Sequence, residues 1–157
     1  MIAEISEDIR MYSRKPNFIE FIKLVVISPG FCAVLMMRIQ SFLFRNRMLL
    51  LAYIIRHVLI RSFGIDVQPG VSLGKGLKID HPVGIVLGPS VILGDRVTLM
   101  GGVSLGMKNT RDLPGPRNPR IGNDVVIGAN SSIFGQVTIA DGTFVKAHSL
   151  IFERKSE

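Results

Sequence analysis

The sequence predicts a mainly β chain: a parallel β-helix of six-residue repeats preceded by a helical segment. Three observations predict it. Taking every sixth residue from Val67 gives Leu73, Ile79, Ile85, Val91, Val97 and Val103, then Ile121, Ile127, Ile133, Ile139, Val145 and Ile151, all Val, Ile or Leu. Glycines recur at fixed offsets, with Gly74, Gly122 and Gly128 one residue after an anchor and Gly70, Gly76, Gly88 and Gly94 three after. Residues 18 to 63 show no such period.

A period of six excludes an amphipathic helix, whose apolar stripe returns every three to four residues. It fits short parallel strands joined by tight corners, each strand sending one branched side chain into a shared core. Glycine suits corners that need positive φ or close backbone approach. The chain therefore divides into a helical segment, 1–64, and a β-helix, 65–157. Residues 109–120, with Pro114, Gly115, Pro116 and Pro119, cannot continue a ladder and are expected as a loop extruded from one corner. The eighteen residues from Val103 to Ile121 keep the phase across it. Long loops on rigid scaffolds carry function more often than connecting segments do.

In the first segment Pro29-Gly30 marks a break, with helices expected over 31–44 and 48–63. The longest uncharged run, Leu24 to Met37, is too short and too broken to cross a bilayer. Lys23, Arg38, Arg45, Arg47, Arg56 and Arg61 face one acid, Glu20, between residues 18 and 63. Two roles are compatible with that: capping the open end of the β-helix, or a basic face giving peripheral contact with an anionic membrane.

The net charge of +7 is spread over both halves without a dense basic run, and Trp is absent, so nucleic acid is not expected as a partner. Cys32 is the single cysteine, which excludes an internal disulfide and a multi-cysteine metal site. Lying between Phe31 and Ala33, it is expected to be a buried small hydrophobe in a reducing, cytoplasmic setting. Met1 to Asp8 carries acids where a signal peptide would carry bases, so none is expected.

Histidine is the side chain suited to proton transfer near neutral pH, and the chain has three: His57, His81 and His148. His57 follows Arg56 on a helix and reads as a surface residue, while His148 reads as a corner residue. His81, in Ile79-Asp80-His81-Pro82, also falls at a corner. Asp66 precedes it by fifteen residues. With coils of about eighteen residues, that spacing can bring the carboxylate to the imidazole, fixing its tautomer.

Asp66-Val67-Gln68-Pro69, Leu73-Gly74-Lys75-Gly76, Ile79 to Gly88, Gly102-Val103-Ser104-Leu105-Gly106, Arg117 and Ile127-Gly128-Ala129-Asn130 together resemble the serine acetyltransferases, members of the left-handed hexapeptide-repeat acetyltransferases. The resemblance implies a left-handed helix, acetyl-CoA as donor substrate, no metal, and a homotrimer with sites between subunits. It implies His81 as general base and Asp66 as its partner, with Asp80 and Arg117 in the acceptor pocket. Gly106, Ala129, Lys146 and Ala147 would line the CoA groove.

Two departures bear on the acceptor. The family closes its loop with Arg-His-Pro, whereas this chain has Arg117-Asn118-Pro119. A family Asp that contributes to the serine site aligns with Lys15, and replacing attraction to an ammonium by repulsion costs on the order of several kcal/mol. Asn118 in the acceptor pocket suits a sugar hydroxyl. The expectation is therefore O-acetylation of a saccharide, as in the related enzymes of capsule and exopolysaccharide synthesis. Serine O-acetylation is the alternative, and an inactive scaffold the non-enzymatic one. The family continues past Ile151 with a Pro-containing segment that helps close the CoA site, where this chain has Glu153-Arg154-Lys155-Ser156-Glu157, which gives the scaffold alternative some weight. A γ-type carbonic anhydrase needs three converging histidines, and the β-helical part has only His81 and His148.

Overall fold

The computed structural model describes residues 2–13, 15–107 and 118–152. Four helices come first: α1 (Ile2–Tyr12), α2 (Phe18–Ile27), α3 (Pro29–Arg45) and α4 (Leu49–Phe63). Their ends follow from the residues there. The Asn17 side chain accepts from the Glu20 amide at 2.8 Å and starts α2. Ser28 does the same for α3 through Phe31, with Pro29 in the first turn, where its missing N–H is no loss. The expected break thus becomes a sharp elbow of 106° between α2 and α3. Gly64, at φ 64°, takes the left-handed turn that ends α4. The sequence reading places α1 within the helical segment but gives it no bounds, because it lies outside the run of apolar residues that marked the others.

Among the described residues, thirteen short strands stack into three parallel sheets, the sides of a triangular prism. The first side holds β1 (Asp66–Val67), β4 (Val86–Leu87), β7 (Ser104–Gly106), β10 (Ser132–Phe134) and β13 (Leu150–Phe152). The second holds β2 (Ser72–Leu73), β5 (Ile92–Leu93), β8 (Arg120–Ile121) and β11 (Thr138–Ile139). The third holds β3 (Lys78–Asp80), β6 (Thr98–Met100), β9 (Val126–Ile127) and β12 (Phe144–Val145). The chain visits the sides in that order, and each strand bonds to the coil above and below.

The register corrects the expected phase. Val67 stacks on Leu87, Leu73 on Leu93 and Ile79 on Leu99, a step of twenty residues. Leu87 then stacks on Leu105, a step of eighteen. Leu93 stacks on Ile121 and Leu99 on Ile127, a step of twenty-eight. The central anchors are therefore Leu87, Leu93, Leu99 and Leu105, each two residues after the expected Ile85, Val91, Val97 and Val103. Two extra residues enter between β3 and β4, and ten between β7 and β8; together they equal two hexads, so the phase returns at Ile121. The expected anchors are buried as well, because positions two apart on a strand face the same way. β8 begins at Arg120, inside the expected loop, most of which lies outside the described residues.

The helices cap the first coil, whose strand edge would otherwise present unpaired backbone groups. Arg38 is buried and reaches the carbonyls of Leu73 at 3.0 Å and Gly74 at 2.6 Å. Its guanidinium also grips Asp8 at 2.8 and 2.9 Å, and Asp8 accepts from the Leu77 amide at 2.9 Å. Gln40 donates to the Val67 carbonyl, and the Tyr12 hydroxyl accepts from the Ile79 amide at 2.8 Å. A Cβ at Gly30 would collide with the Ile79 carbonyl, so only glycine lets α3 approach β3. The core runs continuously from Ala33, Val34 and Met37 of α3 through the aliphatic columns. Cys32 departs from expectation: it is half-buried, and its thiol donates to the Val25 carbonyl at 2.9 Å.

Candidate active site at a corner of the β-helix

The three corners of the prism differ in chemistry. Between the second and third sides, side chains seal the turns. Asp95 accepts from the Lys75 amide, Asn123 from the Asp95 amide and Asp141 from the Asn123 amide, each at 2.8 Å. Between the third and first sides the stacked residues are small. The Gly102 amide donates to Val83, Asn130 to Gly101 and His148 to Ala129, which leaves Gly101, Ala129 and Ala147 as a smooth column. His81 stands at the head of that column.

His81 follows β3 directly and has φ 58°, a left-handed conformation that few non-glycine residues adopt. Its side chain is exposed. Asp80, one residue before, is half-buried with its carboxylate 3.2 Å from Lys78 Nζ. The two residues inserted after β3 fall here, so the widened corner and the candidate base coincide.

The structure departs from the expected Asp66–His81 pair. Arg56 of α4 takes both Asp66 oxygens, at 2.6 and 2.9 Å, and among the described residues no hydrogen bond joins Asp66 to His81. Donating to the Asp66 carboxylate raises the Arg56 guanidinium above its ordinary value. Sequence reasoning missed Arg56, counting it only among the bases of the helical segment. Its signal was a cation in the middle of a helix, ten residues before a carboxylate on the next element.

The other candidates fall into two groups. Ala129, Lys146 and Ala147 share the His81 corner, one and two coils beyond the Gly101 level at about 4.8 Å per coil. Both Lys146 and Ala147 are exposed. Gly106 and Asn118 belong instead to the corner between the first and second sides. Gly106 closes β7, and Asn118 Oδ1 lies 3.6 Å from where a Cβ on Gly88 would stand. Asn118 is buried, and among the described residues that oxygen has no hydrogen-bond partner. Arg117 lies outside the described residues. Lys15 is exposed between α1 and α2, three residues past Tyr12, whose hydroxyl binds Ile79. His57 is exposed, with Nδ1 2.8 Å from the Tyr53 carbonyl, and His148 is an exposed corner residue, as expected.

His81 and Asn118 are thus one side of the prism apart. The strand Val86–Leu87 with its flanking residues runs between the two corners.

Residues 118–153 of this hexad β-helix match the family described as bacterial transferase hexapeptide (six repeats). The chain belongs, more narrowly, to the serine acetyltransferase family. It is 33% identical over 129 residues to the serine acetyltransferase of Helicobacter pylori, covering 82% of this chain and 74% of that one. It is 36% identical over 131 residues to the chloroplastic serine acetyltransferase 1 of Arabidopsis thaliana, covering 83% of this chain but only 41% of the relative's length. The Neisseria gonorrhoeae serine acetyltransferase solved in complex with serine superposes with a TM-score of 0.81 at 33% identity, over 93% of this chain and 59% of that one. The Brucella abortus serine acetyltransferase in complex with coenzyme A gives a TM-score of 0.81 at 29% identity, over 94% and 61%.

The fold shared with these proteins is the left-handed parallel β-helix. Each of these relatives is a serine acetyltransferase and none a polysaccharide O-acetyltransferase, which corrects the narrower resemblance drawn from the sequence.

Proposed function

We propose that this chain transfers an acetyl group from acetyl-CoA to the hydroxyl of serine, with His81 as general base. The observation that carries the reading is the exposed His81 imidazole at the head of the Gly101, Ala129 and Ala147 column, in a chain whose relatives include a serine-bound and a CoA-bound enzyme. His81 accepts the hydroxyl proton as the oxygen attacks the thioester carbonyl. When the tetrahedral adduct collapses and the C–S bond breaks, the imidazolium returns that proton to the departing thiolate. Asp80 lies within one residue of the base and supplies a carboxylate for the acceptor's ammonium. Gly106, Ala129, Lys146 and Ala147 bind the donor, the first through a neighbouring copy's corner. Asp66, held by Arg56, serves as a fixed negative charge beside the first coil rather than as a direct partner of His81.

The assembly proposed is a homotrimer. The placement of His81 and Asn118 at different corners of the prism supports it, since a second chain can bring its Asn118 corner to His81. Exposed Val86, Leu150 and Phe152 on the first side supply apolar surface for that contact. The inactive-scaffold alternative loses weight because His81 remains accessible.

A saccharide acceptor remains the second reading, favoured by two observations. Asn118 offers a hydroxyl a buried oxygen that has no partner among the described residues, and Lys15 is a cation in the segment leading to the site. A thiol-release assay with acetyl-CoA across L-serine, simple sugars and nucleotide sugars decides between them. Serine as the best acceptor supports the proposal; a sugar turned over well above serine replaces it.

A further inference from the structure

The helical segment has a second surface that the proposed chemistry leaves unused. Helix α2, Phe-Ile-Glu-Phe-Ile-Lys-Leu-Val-Val-Ile, contains no buried residue. Phe18 and Ile19 are each 75% exposed, Val26 79% and Ile27 66%. They recur at helical spacing with Ile22, so one face of α2 is an apolar stripe open to solvent. On its inner side, Phe18 and Phe21 join Ile5 and Ile9 of α1 around an open apolar groove. Monomeric soluble proteins rarely leave a contiguous apolar patch of this kind uncovered.

The charge of residues 15 to 63 bears on what covers the stripe. From residue 15 to 63 the only acid is Glu20, paired with Lys23 at 3.2 Å. Two cations of that stretch are spent inside the molecule, Arg38 on Asp8 and Arg56 on Asp66. Lys15, Lys23, Arg45, Arg47 and Arg61 remain exposed. An identical copy would set this basic surface against itself, whereas an anionic bilayer is complementary to it. With ten residues, α2 is about 15 Å long, half the thickness of a hydrocarbon core of about 30 Å. It suits lying in the interface, and no single described helix is long and apolar enough to cross.

We propose that the helical segment docks on an anionic phospholipid surface, with the outer stripe of α2 entering the headgroup–acyl boundary and the exposed cations holding the phosphates. This reading is independent of the acceptor assigned to His81.

The test is co-sedimentation of the full chain with vesicles of phosphatidylcholine alone or containing about one third phosphatidylglycerol. Binding to the anionic vesicles alone, falling at least tenfold between about 0.1 and 0.5 M salt, is the expected result. Val26→Glu or Ile22→Glu should abolish it, and Arg47→Asn with Arg61→Gln should weaken it, with circular dichroism and elution volume unchanged. No binding at low salt, or equal binding to neutral vesicles, overturns the proposal. Loss through Leu50→Glu on α4 but not through the α2 changes overturns the choice of helix. A smaller assembly in the α2 variants would show that a second copy covers the stripe instead.

Discussion

Arg56 holds both oxygens of Asp66, at 2.6 and 2.9 Å, and so ties the middle of α4 to the first strand of the β-helix. The fork geometry of guanidinium on carboxylate makes this a directed contact. Both partners are part-exposed, which limits its strength.

Replacing Arg56 by Gln is therefore expected to cost about 1 kcal/mol, a fall of about 2–4 °C in melting temperature for a chain of this size. Acetyl transfer should stay within about tenfold of the parent, since among the described residues Asp66 makes no hydrogen bond to His81. Differential scanning fluorimetry and the thiol-release assay read the two effects separately. A larger loss of activity than of stability would show that Arg56 belongs to the site itself.

The buried pair behind it should matter more. Asp8 and Arg38 are almost fully buried, and Arg38 also binds the Leu73 and Gly74 carbonyls. Arg38→Met leaves an uncompensated carboxylate in the cap and is expected to destabilise by about 3–5 kcal/mol. Asp8→Leu combined with Arg38→Met should recover part of that loss, because the orphaned charge disappears. Urea denaturation of both single variants and the double variant checks this; simple additivity would contradict the coupling.

Tyr12→Phe removes a hydroxyl of the same cap. That hydroxyl accepts from the Ile79 amide and also donates to the Ile79 carbonyl at 3.3 Å. Burial raises the phenol well above its ordinary range. The variant orphans that amide and is expected to cost about 1–3 kcal/mol, again by urea denaturation.

The hexad sufficed to predict the fold, but not which of two inward columns is the stacking one. Ile85 and Leu87 are both fully buried, and periodicity does not distinguish them. Only the strand register reveals the two-residue widening at His81, because the ten-residue insertion later cancels it. His81 was legible from its motif, and its corner position is as expected. The grip of Arg56 on Asp66 was not, since it joins two elements whose relative placement no local pattern encodes. The capping role of Arg38 was hidden for the same reason. In the sequence it is one base among six, and only packing turns it inward.

Burial pushes the Cys32 thiol above its ordinary value. At a given pH less thiolate is present than in a free cysteine, whose pKa is about 8.5. Alkylation by iodoacetamide should accordingly be slower than for glutathione at pH 8, with a midpoint at higher pH. An equal or lower midpoint would show that the helical cap opens around Cys32.

The proposed trimer rests on the separation of His81 from Asn118, which belong to different corners of the prism. Light scattering at micromolar concentration should give three chains per particle, and a stable monomer would remove the intersubunit site along with the trimer.

The central claim is that His81 is the base, and the direct measurement is kcat of His81→Ala with acetyl-CoA and the best acceptor. General-base assistance is typically worth about 10²–10⁴-fold, so kcat should fall by that range. Coenzyme A affinity by calorimetry and the circular dichroism spectrum should stay close to the parent. Nearly full activity in a folded His81→Ala protein would contradict the account.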